Sequence, residues 1–357
     1  DKDCREIYEK NFGIKPKADI KSVNEKDVPD CDVICAGFPC QPFSNGGKKG
    51  CFEDNRGLLF NEILRIASCK RPRFLLLENV KHILKVSEGK VLAYILKSLK
   101  DIGYIVKTFQ ISPKDIGIPQ NRERVFFVCV REDIHDGKDI ELKLERDPLL
   151  LSDLLSKTPK PEYKISTEIE NVLDAWNEFI QYLPEGEKIS PTILIHDYYK
   201  NYTEDEKENL KPWRQDYMKK NKELLDRHRS FLDTWYTKWG EVLRKRDIYG
   251  KLEWQVGKVR KSESIYNHII QFRQSGVRVK NVNYIPTLVA ITQTPIYGPT
   301  KSYIPPRACA TLQSFPDDFV LDSNDKITYK QLGNSVNTKC VYSVMKSVLD
   351  HFSIEAG

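Results

Sequence analysis

Apolar residues at Cys4, Ile7, Tyr8 and Phe12 recur at helical spacing over residues 3–12, and Gly13 supplies a stop. Residues 32–36 (DVICA) form a short apolar run between turn residues, which predicts a buried strand. A helix is predicted from Leu59, Phe60, Ile63, Ile66 and Ala67, then a second buried strand at residues 73–77 (RFLLL). Leu92, Ile95, Leu96 and Leu99 make a helical face that ends at Gly103, and residues 104–111 and 125–130 read as strands. Repeated α–β alternation with continuous apolar strands predicts a parallel sheet covered on both faces. Chemistry in such a sheet belongs at the carboxyl ends of its strands.

The pattern changes after Arg146. All five tryptophans (Trp176, Trp213, Trp235, Trp239 and Trp254) fall in the next stretch, and the α–β alternation stops. Residues 204–246 are highly charged, with Leu224, Leu225, Phe231, Leu232, Trp235 and Trp239 spaced as a helix. A separate domain is expected from about residue 150. From Pro305 the character shifts again, and Val341, Val344, Met345, Val348 and Phe352 predict an amphipathic helix able to pack back on the sheet. The expected division is 1–150, 151–304 and 305–357.

Composition narrows the class. The chain has 357 residues, 40% apolar and 30% charged, enough for one large or two ordinary cores. No run approaches the ~18 apolar residues of a membrane span, and the first residues have no apolar signal segment. Nine cysteines are too few for a disulfide scaffold, so reduced thiols and a cytosolic location are expected. The net charge of +6 is uneven: residues 211–280 carry 18 Lys/Arg against 8 Asp/Glu. A basic middle suggests a polyanion-binding segment, although a solvated helical face accounts for the charge equally well.

Three segments next to predicted strands carry candidate chemistry. The first strand runs into Gly37-Phe38-Pro39-Cys40-Gln41-Pro42-Phe43-Ser44, then a glycine- and lysine-rich loop with Lys48 and Lys49. A cysteine behind a proline at a strand's end is well placed as a nucleophile. Alone, the dipeptide fits a structural cysteine in a turn better. The second strand ends in Glu78-Asn79-Val80, where desolvation can raise a carboxyl pKa toward that of a proton donor. Alone, an ion pair or helix-start acid explains it better. Gln120-Asn121-Arg122-Glu123-Arg124 puts two arginines on one face of a strand, suited to a carboxylate or phosphate. Surface salt bridges are the simpler account of that segment alone.

Together these segments resemble the motifs of bacterial C5-cytosine DNA methyltransferases. GFPCQPFS resembles the family's nucleophile motif, Glu78-Asn79-Val80 its ENV motif, and residues 120–124 its QxRxR motif. Residues 307–316 (RACATLQSFP) resemble its RExARLQxFP segment, departing at Ala308 and Cys309, and residues 331–336 (QLGNSV) its closing motif. Five motifs stand in the family's order from Pro39 to Val336. The resemblance implies an α/β, Rossmann-like S-adenosylmethionine-dependent methyltransferase sheet with a smaller target-recognition domain in the middle. It also implies a further β–α unit of roughly 40 residues ahead of residue 1, carrying a Phe-x-Gly-x-Gly loop and an acid for the cofactor ribose.

By resemblance, Cys40 adds to cytosine C6 as the thiolate. Glu78 donates to N3 and accepts from the 4-amino group. Arg124 neutralises O2, and Arg122 holds the loop or a phosphate. Asp19, Ile20, Pro39, Leu59, Asn334 and Val336 match positions lining the S-adenosylmethionine pocket. Gln41, Ser44, Lys48 and Lys49 lie on a loop that closes over a flipped-out base. Thr287-Leu288 matches the pair ending the recognition region. In the middle domain, Arg244, Lys245 and Arg246 are expected on the DNA backbone, with Arg273 and Arg278 nearer base edges. No metal site is assigned. The implied partners are double-stranded DNA and a cognate restriction endonuclease, with a monomeric enzyme in the bacterial cytosol.

Three other readings remain open. A tRNA cytosine methyltransferase shares these motifs but has a smaller recognition region with a Cys-Phe-Thr signature that is not found here. A catalytically incomplete DNA-binding or regulatory subunit is compatible with the implied upstream unit. A thiol hydrolase would pair Cys40 with a histidine, and only His82 lies near a motif.

Overall fold

The computed structural model describes residues 1–17, 19–39, 58–155, 159–288 and 294–354. They divide into two compact units, Asp1–Pro148 with Ala310–Gly357, and Leu149–Cys309. Among the described residues no helix is long and apolar enough to cross a membrane.

In the first unit, helix α1 (Lys2–Phe12) starts at Asp1, whose carboxylate accepts from the Cys4 amide, and stops at Gly13 in a left-handed conformation (φ 68°). The chain then supplies β1 (Val33–Gly37), α2 (Leu58–Lys70), β2 (Phe74–Val80), α3 (Lys90–Asp101), β3 (Tyr104–Ile111), a two-residue β4 (Gln120–Asn121) and β5 (Arg124–Arg131). The main sheet has the order β1-β2-β5-β3. β1 and β2 are parallel, while β5 runs antiparallel to both neighbours.

The sheet is therefore mixed rather than wholly parallel. The connection from β3 to β5 holds only a short 3-10 turn (Pro113–Ile116) and β4, with no crossover helix, so the chain returns in the opposite direction. β5 is buried along all but its ends and β2 along its first four residues, as their apolar runs predict. β1 differs from expectation. It borders the described sheet, and its residues are half-buried or exposed. The β2 strand also runs further than its apolar run, through Glu78, Asn79 and Val80.

The second unit contains α4 (Leu151–Leu155), α5 (Thr167–Tyr182), β6 (Ile193–Leu194), α6 (Ile195–Tyr199), α7 (Glu204–Glu208), α8 (Pro212–Asp226), α9 (Arg229–Arg244), β7 (Lys251–Gln255), β8 (Ile269–Arg273), β9 (Gly276–Lys280), β10 (Ile285–Pro286), β11 (Ile296–Tyr297) and β12 (Ser302–Tyr303). Its sheet runs β12-β11-β8-β9-β7-β6. The charged region expected as one helical stretch is three helices. Pro212 opens α8, and the chain breaks again at Arg227 and His228.

Most tryptophans of this unit are core rather than surface. Trp176 and Trp235 are fully buried, with ring centroids 5.4 Å apart, and both pack on Phe179. Their indole N–H groups donate to the carbonyls of Tyr249 and Ala175, each at 2.8 Å. Burying such large rings with their one donor satisfied is the expected use of tryptophan. Trp254 is buried too, and only Trp213, 53% exposed, stands well out in solvent. Leu252, Ile270, Val277 and Val279 of the sheet face this core. Glu253, Arg278 and Lys280 alternate onto the opposite face.

Helix α10 (Pro306–Leu312) leads back into the first unit, followed by α11 (Asp325–Asn334) and α12 (Thr338–His351). α12 buries Cys340, Val344 and Val348, and Phe352 meets Phe74 of β2 at 5.4 Å, so the last helix packs on the sheet as its pattern predicts. Asn11 of α1 exchanges two hydrogen bonds with the backbone of Val320.

Candidate active site

The site grows from three neighbouring strands. In register, Gly37 of β1 lies opposite Glu78 of β2, and Phe126 of β5 lies on the other side of Glu78. A Cβ at position 37 would stand 3.4 Å from Glu78 Oε2, so glycine leaves the carboxylate room against β1. Arg124 pairs in register with Val80, two residues from Glu78 on the same face. Its Nε donates to Glu78 Oε1 at 2.8 Å, and both side chains are largely buried.

Two forces oppose each other at Glu78. Burial pushes its carboxyl above the usual carboxylate range, while the charges of Arg124 and Arg122 pull it down, and burial dominates. The sequence left an ion pair and a raised carboxyl as alternatives for this residue. The structure has both at once.

Arg122 and Arg124, expected as partners on one face, have different tasks. β4 ends at Asn121 and β5 begins at Arg124, so Arg122 lies in the break between strands. It is 3% exposed, and burial, with the nearby charge of Arg124, lowers its guanidinium pKa. Its Nη2 donates to the carbonyls of Gly333 at 2.9 Å and Ser335 at 2.6 Å. Its amide donates to the Ser112 hydroxyl at 3.1 Å. Arg122 thus holds the last residues of α11 and the turn after it, which carry Asn334 and Val336.

Asn79 was quoted within a motif but carried no role in the sequence reading. It is buried, and its Nδ2 donates to the Phe38 carbonyl at 2.9 Å. That bond holds the chain just before Pro39 and Cys40. Gln313 and Asn337 were missed as well. Gln313 Nε2 donates to Leu332 O at 2.8 Å, and Asn337 Nδ2 donates to Leu312 O and Ser314 Oγ, both at 3.0 Å. Residues 312–314 therefore buttress the 331–337 segment from behind. Asn79 and Gln313 stood inside quoted motifs, which was the available signal, while Asn337 lies one residue beyond the last of them. Cys40, Gln41, Ser44, Lys48 and Lys49 lie outside the described residues.

The residues proposed for a nucleoside cofactor form a chemically suitable set. Pro39 directly follows Phe38, whose ring packs on Phe60 of α2 at 5.1 Å, and Leu59 precedes Phe60. Arg65 of α2 donates to the carbonyls of Ile20 and Val23, which ties the 20–23 turn to the same helix. Asp19 caps that turn through the Lys21 amide at 3.0 Å. Ile20, Pro39, Leu59 and Val336 are half-buried, leaving apolar surface for a purine, and Asn334 and Asp19 are exposed polar groups beside them in the chain.

In the second unit, the polar face of the sheet crowds positive charge. Arg273 and Lys280 are both held below their usual pKa, by burial first and then by the charge of Arg278. Arg278 Nε donates to Glu253 Oε2 at 2.8 Å. Arg244, Lys245 and Arg246 are exposed at the end of α9, where cations offset the helix dipole. Arg244 and Arg246 also lie over the rings of Tyr236 and Tyr249, each at 5.4 Å. Thr287 is half-buried and Leu288 buried just after β10.

A family model for C-5 cytosine-specific DNA methylase matches residues 1–350. Among curated proteins the chain is 29% identical to the Type II methyltransferase M.HhaI of Haemophilus parahaemolyticus, over 94% of this chain and 81% of that protein. It is 30% identical to the Type II methyltransferase M1.ScrFI of Lactococcus lactis subsp. cremoris, over 98% of this chain and 70% of that protein. Among solved structures, the methyltransferase EhMeth of Entamoeba histolytica superposes with a TM-score of 0.54 at 18% identity, over 98% of this chain and 88% of that one. At that identity the likeness bears on the fold.

Proposed function

The chain belongs to the C-5 cytosine-specific DNA methylase family, and from that premise we propose that it methylates cytosine through a covalent Cys40 adduct on a base flipped out of a specific duplex site. DNA is its substrate, and S-adenosylmethionine is the methyl donor of the family. The observation that carries the finer reading is the Glu78–Arg124 pair, set beside the strand that leads into Pro39 and Cys40.

Cytosine C5 is a poor nucleophile. Addition of the Cys40 thiolate to C6 breaks the ring's conjugation and makes C5 enamine-like, while negative charge grows toward N3 and O2. Glu78, its carboxyl raised by burial, holds a proton for N3 and accepts from the 4-amino group, which favours cytosine over thymine. Arg124 fixes that carboxyl and balances charge at O2. Arg122 and Asn79 position the Gly333–Ser335 and Phe38 backbones, next to which Asn334, Val336 and Pro39 are assigned to the cofactor, while Leu59, Asp19 and Ile20 are assigned to it from α2 and from the turn that Arg65 holds. S-adenosylmethionine, when bound there, would offer C5 an electrophilic methyl group and leave as the neutral thioether. A base then removes the C5 proton, and elimination restores the C5–C6 double bond and releases the Cys40 thiolate. Attack on C6 is blocked in a stacked duplex, so the base must leave the helix. Gln41, Ser44, Lys48 and Lys49 are assigned to the loop that closes over it.

The unit Leu149–Cys309 is assigned to target recognition, with Arg273, Arg278 and Thr287 nearest the bases and Arg244 and Lys245 on the backbone. The crowded cations of its sheet face support a polyanion there. The Type II relatives support a cognate restriction endonuclease as a further partner, and the enzyme itself is read as a monomer. The test is transfer of labelled methyl groups from S-adenosylmethionine to DNA, with the product mapped by bisulfite sequencing. Label at cytosine C5 in one recurring sequence supports the reading. Absence of labelled DNA, or label on tRNA alone, overturns it.

A further inference from the structure

The polar face of the second unit's sheet contains one carboxylate that is held unusually firmly. Glu253 Oε2 accepts from Ser275 Oγ at 3.0 Å and from Arg278 Nε at 2.8 Å, and Oε1 accepts from Gln255 Nε2. Glu253 and Arg278 are direct cross-strand neighbours on β7 and β9. The Arg278 side chain is 21% exposed and that of Glu253 14%. Both line a groove of about 320 Å³, with Trp213, Tyr217, Gln274 and Ser275.

A salt bridge at such a surface adds little stability on its own. Its geometry has a clearer consequence. The bond engages Nε, so among the described residues the planar pair Nη1 and Nη2 remains a donor fork at the groove. A guanidinium fork held rigid in this way fits guanine O6 and N7, the commonest specific contact in the major groove. Arg273 lies at the two-residue turn between β8 and β9, and Lys280 has an ammonium with no fork. Arg278 combines a fork, an interior strand and a fixed carboxylate.

We propose that Arg278 reads a guanine of the target site and that Glu253 is the positioning residue that presents its guanidinium fork. This rests on the reading of the chain as a site-specific DNA methylase.

The experiment uses the full chain. The recognition site is first mapped by bisulfite sequencing, and each guanine in it is then replaced singly by 7-deazaguanine, which lacks the N7 acceptor. At one guanine the wild-type protein should lose about ten- to a hundredfold in kcat/KM. Arg278→Ala and Arg278→Lys should lose a similar factor on the natural site and then show no further loss with 7-deazaguanine at that position only. Glu253→Ala should blunt the dependence on the same guanine, and the isosteric Glu253→Gln should recover part of it. Unchanged circular dichroism and unchanged penalties at the other guanines separate this from general loss of structure. If every guanine keeps its wild-type penalty in the Arg278 and Glu253 variants, the inference is overturned while the methylase reading stands. If the wild-type protein produces no 5-methylcytosine in DNA, both fall.

Discussion

Arg122 donates through Nη2 to the carbonyl of Ser335, at 2.6 Å and across 213 residues of sequence. The same nitrogen reaches Gly333 at 2.9 Å, so one buried guanidinium ties the break before β5 to the C-terminal end of α11. Removing it leaves two carbonyls without their donor in a buried setting. Arg122→Ala is expected to cost about 1–3 kcal/mol for the unmade bonds alone. Urea unfolding of the wild type and variant measures this, and an unchanged midpoint would refute it. Methyl transfer should fall with it, through a raised KM for S-adenosylmethionine, because the displaced segment carries Asn334 and Val336.

Glu78→Gln keeps the shape of the side chain but has no proton to give. Its turnover should drop by about 10²–10⁴, the usual contribution of a positioned general acid. DNA affinity should change little. Filter binding beside single-turnover kinetics distinguishes the two quantities, and full activity in the variant would show that the proton comes from another group.

The pH dependence has a definite sign. The folded-state pKa of Glu78 stands above its ordinary value because of burial, and Arg124 and Arg122 oppose that rise. A raised carboxyl keeps its proton to higher pH, so activity that needs this proton declines as pH rises through the folded value. Whatever stability the raised pKa contributes is present below the unfolded pKa and is lost over the same rise. Arg124→Ala removes a force that lowers the pKa, so its activity limb should move to higher pH even though its maximum rate falls. A limb that moves down, measured from pH profiles of kcat, contradicts the assigned electrostatics.

Cys40→Ala should abolish methylation and the trapping of DNA that contains 5-fluorocytosine, since that base blocks release of a C6 adduct. The thiol forms the bond, and the substitution removes only its sulfur atom. Gel shifts under denaturing conditions report the adduct, and an adduct that persists in the variant would remove Cys40 from its role.

Exposed Lys245, between two arginines stacked on tyrosines, tests the backbone contact directly. Lys245→Gln should weaken binding to all duplexes alike and reduce the slope of log K against log salt by about one. Binding isotherms at several salt concentrations would show an unchanged slope if the residue only faces solvent.

The sequence alone determined the elements and the chemistry-bearing residue types. Apolar periodicity located α3 and α12, because each buries one contiguous stripe that local spacing records, and it located α1 although only Ile7 of that helix is buried. Motif order brought Glu78, Arg122 and Arg124 forward as a group. Tertiary structure alone decided what each of them does. Two arginines separated by one residue look alike in sequence, yet the strand break sends Arg122 to the Gly333 and Ser335 carbonyls and leaves Arg124 on Glu78. The direction of β5 followed from the length of the connection before it, which periodicity does not encode. The tryptophans show the limit from the other side. Trp176, Trp235 and Trp254 lie within or beside a basic region and are core residues nonetheless, because a helix or strand has two faces and composition does not say which one carries the charge. Glu253 had no motif to announce it. Its meaning arises only where β7 and β9 pair and bring its carboxylate to Arg278, a contact between residues 25 apart that hydrogen bonding of the sheet creates.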